Sequence, residues 1–186
     1  MIDPWDEIGR RHIGNFYIFD LFTVERRSQR TGLARPFVVL EAPDWINVIA
    51  LTPDDQALFV RQYRHGSAGF TLEVPAGMVD PHESDPLDAA RRELLEETGY
   101  AAASIELIGS VEPNPAFLNN RCHTYLALDV RPVQEPTPDG SEELEIILHP
   151  ADRLRDLVAS GAVSHSLTIA AFFHYEQWLA RRPAGA

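Results

Sequence analysis

The sequence predicts an α+β layered domain, on three observations. Strand-like apolar runs recur from Phe16 to Leu148, whereas helical periodicity is confined to one central segment and two late ones. The helices are therefore unevenly distributed rather than alternating with strands. With 186 residues and 45% hydrophobic content, the chain is long enough for one full core, read here as a single domain over residues 1–186.

Taken in order, Phe16 to Val24 reads as a strand, and Ala34 to Glu41 as another after a polar turn at Ser28 to Gly32. Trp45 to Leu51 and Ala57 to Tyr63 read as a hairpin around Pro53-Asp54-Asp55. Thr71 to Val74 is a short strand leading into Pro75-Ala76-Gly77. A helix then starts at Asp85, a good N-cap, with Pro86 in the first position and Asp88 in the first turn. Leu87, Ala90 and Leu94 form its apolar stripe, Leu95 widens it, and Gly99 stops it. Strand-like runs follow at Ile105 to Val111, His123 to Val130 and Glu142 to Leu148, separated by an acidic, proline-rich loop at Pro132 to Gly140. Ala151 to Ser160 and Ser166 to Ala180 have helical periodicity.

The segment Arg91 to Tyr100 carries the chemistry. Glu93, Glu96 and Glu97, at i, i+3, i+4, stack on one helix face, off the apolar stripe. Glu97 lies in the last turn, where an anion opposes the helix dipole and like charges repel by roughly 0.2–0.5 kcal/mol. Such a concentration of carboxylates suits a hard divalent cation, Mg²⁺ or Mn²⁺. The same residues also read as a solvated charged face in which Arg92 pairs with Glu96.

Composition narrows the classes. A net charge of −12 argues against non-specific binding to nucleic acid or to an anionic membrane surface. All 16 basic residues are arginine, which excludes a Schiff-base or P-loop lysine and leaves arginine as the permanent cation for phosphate. Cys122 is the only cysteine, so no intramolecular disulfide and no cysteine zinc site can form, and a reduced cytoplasmic setting fits. The start, Met1 to Asp6, does not read as a signal peptide, and no apolar run approaches membrane-spanning length.

From Gly77 to Tyr100 the chain reads Gly, five residues, Glu83, eight residues, Arg92-Glu93-Leu94-Leu95-Glu96-Glu97-Thr98-Gly99-Tyr100. This resembles the Nudix box, with one residue more than the usual seven between Glu83 and Arg92. The extra residue falls in the loop His82 to Pro86, so the register of the glutamates is unaffected. Around the box, the order strand hairpin, Gln62-Tyr63-Arg64, Glu73-Val74-Pro75-Ala76-Gly77, box, late acidic strand and two helices resembles the ADP-ribose pyrophosphatase branch of the Nudix hydrolases, over residues 15–180.

The resemblance implies a mixed β-sheet sandwiched between α-helices. It also implies N-terminal antiparallel strands, within residues 1–45, that exchange between the subunits of a homodimer. The implied activity is hydrolysis of the diphosphate of ADP-ribose or a related nucleoside diphosphate sugar. Alternatives are pyrophosphohydrolysis of nucleoside triphosphates or dinucleotides, and a non-catalytic ligand sensor. Glu93, Glu96, Glu97 and the carbonyl of Ala76 would ligate the metal, and Arg92, partly through Glu83, would hold the carboxylates in place. The general base would come from Glu142 or Glu143, with Glu142 favoured; both also read as solvated loop acids. Arg64 would approach the diphosphate, with Glu73 as a further site residue and its partner; the two also read as a purely structural pair. The loop Glu112 to Phe117 departs from the branch pattern, and Asn119 and Arg121 beyond it would read a sugar hydroxyl or phosphate, or form a turn. Phe16, Tyr17, Trp45 and Phe117 are candidates for stacking on a base, and equally for core or interface.

Overall fold

In a computed structural model the described residues are 2–138 and 143–182. They form two compact units, one comprising the chain up to Pro43 with Glu112–Arg121, the other Asp44–Val111 with the chain from Cys122 onward.

In the first unit, β1 (Trp5–Asn15), β2 (Asp20–Ser28) and β3 (Ala34–Glu41) make an antiparallel sheet in that order. β3 lies where the sequence places it. The strand expected from Phe16 instead begins at Asp20, because residues 16–19 turn, with Tyr17 at φ 62° and the Phe16 N–H donating to Phe19 O. β1 was not legible in the sequence. It is largely exposed, rich in charge, and its pairing with β2 is interrupted between Glu7 and Gly9 and between His12 and Gly14. Such irregularities break the period-2 signal. The segment after Glu112 packs beside β3: Leu40 N–H donates to Phe117 O (2.7 Å), Ala42 N–H to Asn119 Oδ1 (3.2 Å), and Asn120 Nδ2 to Pro43 O (2.9 Å).

The second unit contains β4 (Trp45–Leu51), β5 (Gln56–Arg64), β6 (Gly69–Glu73), β7 (Ala76–Met78), α1 (Pro86–Thr98), β8 (Tyr100–Ala101), β9 (Ser104–Val111), β10 (Cys122–Leu128), β11 (Arg131–Pro132), β12 (Leu144–Pro150), α2 (Leu154–Ala159) and α3 (Ser166–Arg181). Its mixed sheet has the order β12-β5-β4-β10-β9, parallel only between β4 and β10, with β6 added to β5 and β7 to β4. β4 is apolar almost throughout because both its faces are covered. Ile46, Val48 and Ala50 pack with Ala89, Ala90 and Leu94 of α1. Ile49 and Leu51 pack with Leu154, Ala171 and Phe172 of α2 and α3. The sheet is thus sandwiched between helices, as the resemblance implies. Each large side chain fully buried there contributes roughly 1.5–3 kcal/mol.

The expected hairpin of β4 and β5 closes for one residue pair only, Leu51 with Ala57. The other edge of β5 is occupied by β12 and that of β4 by β10, so β6 and β7 both enter the gap between β4 and β5. This split delivers the segment Glu73 to Met78 into the sheet, where Pro75 O accepts from Val48 N–H (2.8 Å).

Candidate active site

The site is built on α1. Asp85 caps it, its carboxylate accepting from Leu87 N–H (2.9 Å), and Gly99 closes it at φ 74°. The apolar stripe anchors the helix, with Leu94 1% exposed, and the glutamates turn toward β7.

Glu97 is 2% exposed, and its Oε2 accepts from the N–H of Ala76 (3.0 Å). Gly77 meets Glu93 so closely that a Cβ there would stand 1.9 Å from Glu93 Oε1. Only a residue without a side chain lets β7 lie against this carboxylate. Glu96 is the most open of the three, its side chain 39% exposed.

Arg92 gathers the surrounding acids. Its Nε and Nη2 donate to the two oxygens of Glu83 (2.9 and 3.2 Å), Nη1 to Glu93 (2.8 Å) and Glu96 (3.1 Å), and Nη2 also to Met78 O (2.9 Å). Hydrogen bonding to Glu83 first of all raises the Arg92 pKa above its usual value, and bonding to Arg92 holds the Glu83 carboxyl below the carboxylate range. The Asp80 N–H adds a further bond to Glu83 (2.8 Å). The longer loop before α1 is therefore accommodated with Glu83 still on Arg92.

A second polar cluster joins β5, β6 and the start of α3. Glu73 is 0% exposed, and its carboxylate accepts from Arg64 Nε and Nη2 (both 2.8 Å) and from Thr71 Oγ1 (2.6 Å). His165 Nδ1 lies 2.9 Å from Glu73 Oε2. Burial pushes the Glu73 pKa up, but Arg64, His165 and Thr71 together outweigh it and hold the group well below its ordinary value. The Arg64–Glu73 pair is the one expected from the sequence; His165 and Thr71 are further partners. Thr71 was findable, two residues from Glu73 on one strand; His165 was not, being 92 positions away.

Glu143 is exposed immediately before β12, and Glu142 lies outside the described residues. Asn119 and Arg121 belong to the first unit, where Asn119 caps the Ala42 N–H and Arg121 is exposed. A cavity of about 520 Å³ between α2 and α3 is lined by Leu154, Arg155, Phe172, Tyr175 and Glu176, among others, and by none of the box glutamates. Cys122 is buried and its thiol is pushed up to about 12, first by burial and then by Asp44, which disfavours the nucleophilic thiolate.

Three glutamates with hard oxygen donors on one helix face fit a divalent cation in chemistry. Among the described residues no three His, Cys, Asp or Glu side chains are grouped so as to hold a metal as they stand. Arg92 Nη1 contacts both Glu93 and Glu96, so its guanidinium lies on this face. The cation-binding character of the face is thus present, with an internal cation on it.

The NUDIX domain family profile matches residues 43–172. ADP compounds hydrolase NudE of Escherichia coli (strain K12) is 27% identical over 163 residues, 86% of each chain. ADP-ribose pyrophosphatase of Bacillus subtilis (strain 168) is 29% identical over 141 residues, 75% of each chain. A solved structure described as the crystal structure of ADP compounds hydrolase has the same fold, with a TM-score of 0.85 at 21% identity, covering 97% of this chain and 96% of that one. A box helix whose Glu93 lies against Gly77, with Arg92 bonded to Glu93 and Glu96, coincides with a profile match over more than half the chain: the protein belongs to the Nudix family.

Proposed function

We propose that the protein hydrolyses the diphosphate bond of ADP-ribose or a related nucleoside diphosphate sugar, giving a nucleoside monophosphate and a sugar phosphate. The observation that carries this reading is Glu97, a buried carboxylate in the last turn of α1 beside two further glutamates. Carboxylate oxygens clustered on one helix face suit a hard divalent ion. Relatives named ADP compounds hydrolase and ADP-ribose pyrophosphatase support the substrate class.

In this reading Glu93, Glu96, Glu97 and the Ala76 carbonyl would hold a divalent ion, Mg²⁺ or Mn²⁺. Such an ion, when bound, neutralises phosphoryl charge and lowers the pKa of water. Arg92 orients the carboxylates, and Glu97 is tied to the backbone at Ala76, which limits its rotamers. Arg64, fixed by Glu73, presents a guanidinium to the diphosphate. Glu142 or Glu143 takes the proton from the attacking water. The water oxygen joins one phosphorus, and the bridging P–O bond breaks with its oxygen leaving on the other phosphate.

The same reading takes residues 1–186 as one Nudix hydrolase domain that works as a homodimer in the cytoplasm. Self-association is supported by exposed Ile8, Ile13, Phe16, Tyr17, Phe37 and Val38 on the N-terminal strands and their turn. Residues 1–43 hold six arginines and six acids, so this segment is charge-balanced in a chain of net charge −12 and two copies meet there without like-charge repulsion. Among the described residues no helix is long and apolar enough to cross a membrane.

The test is phosphate-monoester release from ADP-ribose, ADP-glucose and GDP-mannose with Mg²⁺, for wild type and Glu97→Gln. Turnover of at least one, lost in the variant, is expected. Turnover only of nucleoside triphosphates or dinucleotides would move the substrate class. Ligand binding without any turnover would identify a sensor.

A further inference from the structure

The Glu73 cluster contains a residue whose placement the proposed chemistry has not used. Glu73 is completely buried, and its acceptor positions are filled from four directions. Oε1 takes Arg64 Nε and Thr71 Oγ1; Oε2 takes Arg64 Nη2 and faces His165 Nδ1 at 2.9 Å. A carboxylate kept ionised by a bidentate arginine has no proton to give, so the imidazole Nδ1–H must be the donor. His165 stands at the N-cap position of α3, yet its side chain makes no capping bond. The ring is committed to Glu73 instead, with Thr168 Oγ1 at 3.2 Å from the same nitrogen.

The exposures give this arrangement a direction. Arg64 is 44% exposed and His165 29%, while the carboxylate between them is at 0%. A buried anion thus holds, from below, an arginine that reaches the surface. Arg64 Nη2 and His165 Nδ1 converge on one oxygen, so the angle at which Glu73 grips the guanidinium depends on the imidazole. Thr71 and Arg64 come from the same β5–β6 hairpin as Glu73, whereas His165 ties the cluster to α3.

We infer that His165 is a positioning residue for the substrate diphosphate, acting through Glu73 on the orientation of Arg64. This rests on the hydrolase reading above, in which Arg64 meets the diphosphate. Because Arg64 serves ground-state binding and transition state alike, loss of its orientation raises KM more than it lowers kcat.

The experiment is a double-mutant cycle. Steady-state kinetics on ADP-ribose with Mg²⁺ are measured for wild type, His165→Ala, His165→Asn, Arg64→Ala and Arg64→Ala/His165→Ala. ADP-ribose binding is measured by calorimetry with Mg²⁺ omitted. His165→Ala raises KM about tenfold with kcat within about threefold, the loss expected of one charge-assisted hydrogen bond. His165→Asn, whose amide nitrogen stands where Nδ1 does, recovers most of this. In the Arg64→Ala background, His165→Ala has no further effect on KM. If His165→Ala fails to fold, His165→Gln, whose amide sits at the Nε2 position, replaces it in the cycle. An unchanged KM, a loss confined to kcat, or equal losses with and without Arg64 overturns the inference. Absence of wild-type turnover overturns the hydrolase reading instead, and the same cycle is then read in the Kd for ADP-ribose; no binding, or additive losses in Kd, overturns the inference as well.

Discussion

A Cβ on Gly77 would stand 1.9 Å from Oε1 of Glu93, closer than any unbonded pair of atoms tolerates. β7 and α1 are therefore in contact through a backbone on one side and a carboxylate on the other. Gly77→Ala is expected to displace Glu93 by about 1 Å and cut kcat/KM about 100-fold, while the core behind α1 is untouched. Kinetics alongside a thermal melt checks this. A variant with full activity would mean that Glu93 is free to sit elsewhere.

Glu97→Gln removes charge but keeps an oxygen that can accept from the Ala76 N–H. The expected outcome is a fall in kcat of about 100-fold or more with little change in Tm. Divalent-ion binding, followed by calorimetry, should weaken in parallel. Undiminished ion affinity would place the metal away from this face.

Arg92 joins Glu83, Glu93, Glu96 and the Met78 carbonyl, and is only 25% exposed. Its loss leaves the nearly buried Glu83 carboxylate without its arginine, the Asp80 N–H bond remaining. Arg92→Ala should destabilise the protein by about 2 kcal/mol, between the values for surface and buried pairs, as read from urea unfolding. Glu83→Gln should add less in the Arg92→Ala background than alone, since the two share one network.

Glu73 supplies a pH signature. Its folded pKa is depressed, so the stability it contributes is fully present above the unfolded value of about 4.3 and is lost as pH falls below it toward the folded pKa. Glu73→Gln is therefore less stable than wild type at pH 7, and the gap narrows below about pH 4. Denaturant midpoints at pH 7, 5 and 3 measure it. A gap independent of pH would show that Glu73 contributes by shape alone.

The parts legible in the sequence are those governed by local spacing. Asp85, Pro86 and Gly99 bound α1 within a residue, and the i, i+3, i+4 spacing puts Glu93, Glu96 and Glu97 on one face whatever lies opposite. The apolar run Trp45 to Leu51 marks β4 as a strand, while the helix that each of its residues meets is decided by the fold. β1 escaped because charged residues, two glycines and two register shifts erase its periodicity.

What the sequence by itself determined is thus the helix, its carboxylates and the family motif around them, all products of short-range backbone geometry. Only the tertiary structure decided that β4 and β5 part after one pair, that β7 fills the gap so that Ala76 N–H reaches Glu97, and that His165 bonds a glutamate 92 positions earlier. Those contacts join segments whose separation along the chain carries no periodic signal. They form because a split sheet must pair its open edges and a buried carboxylate must find donors.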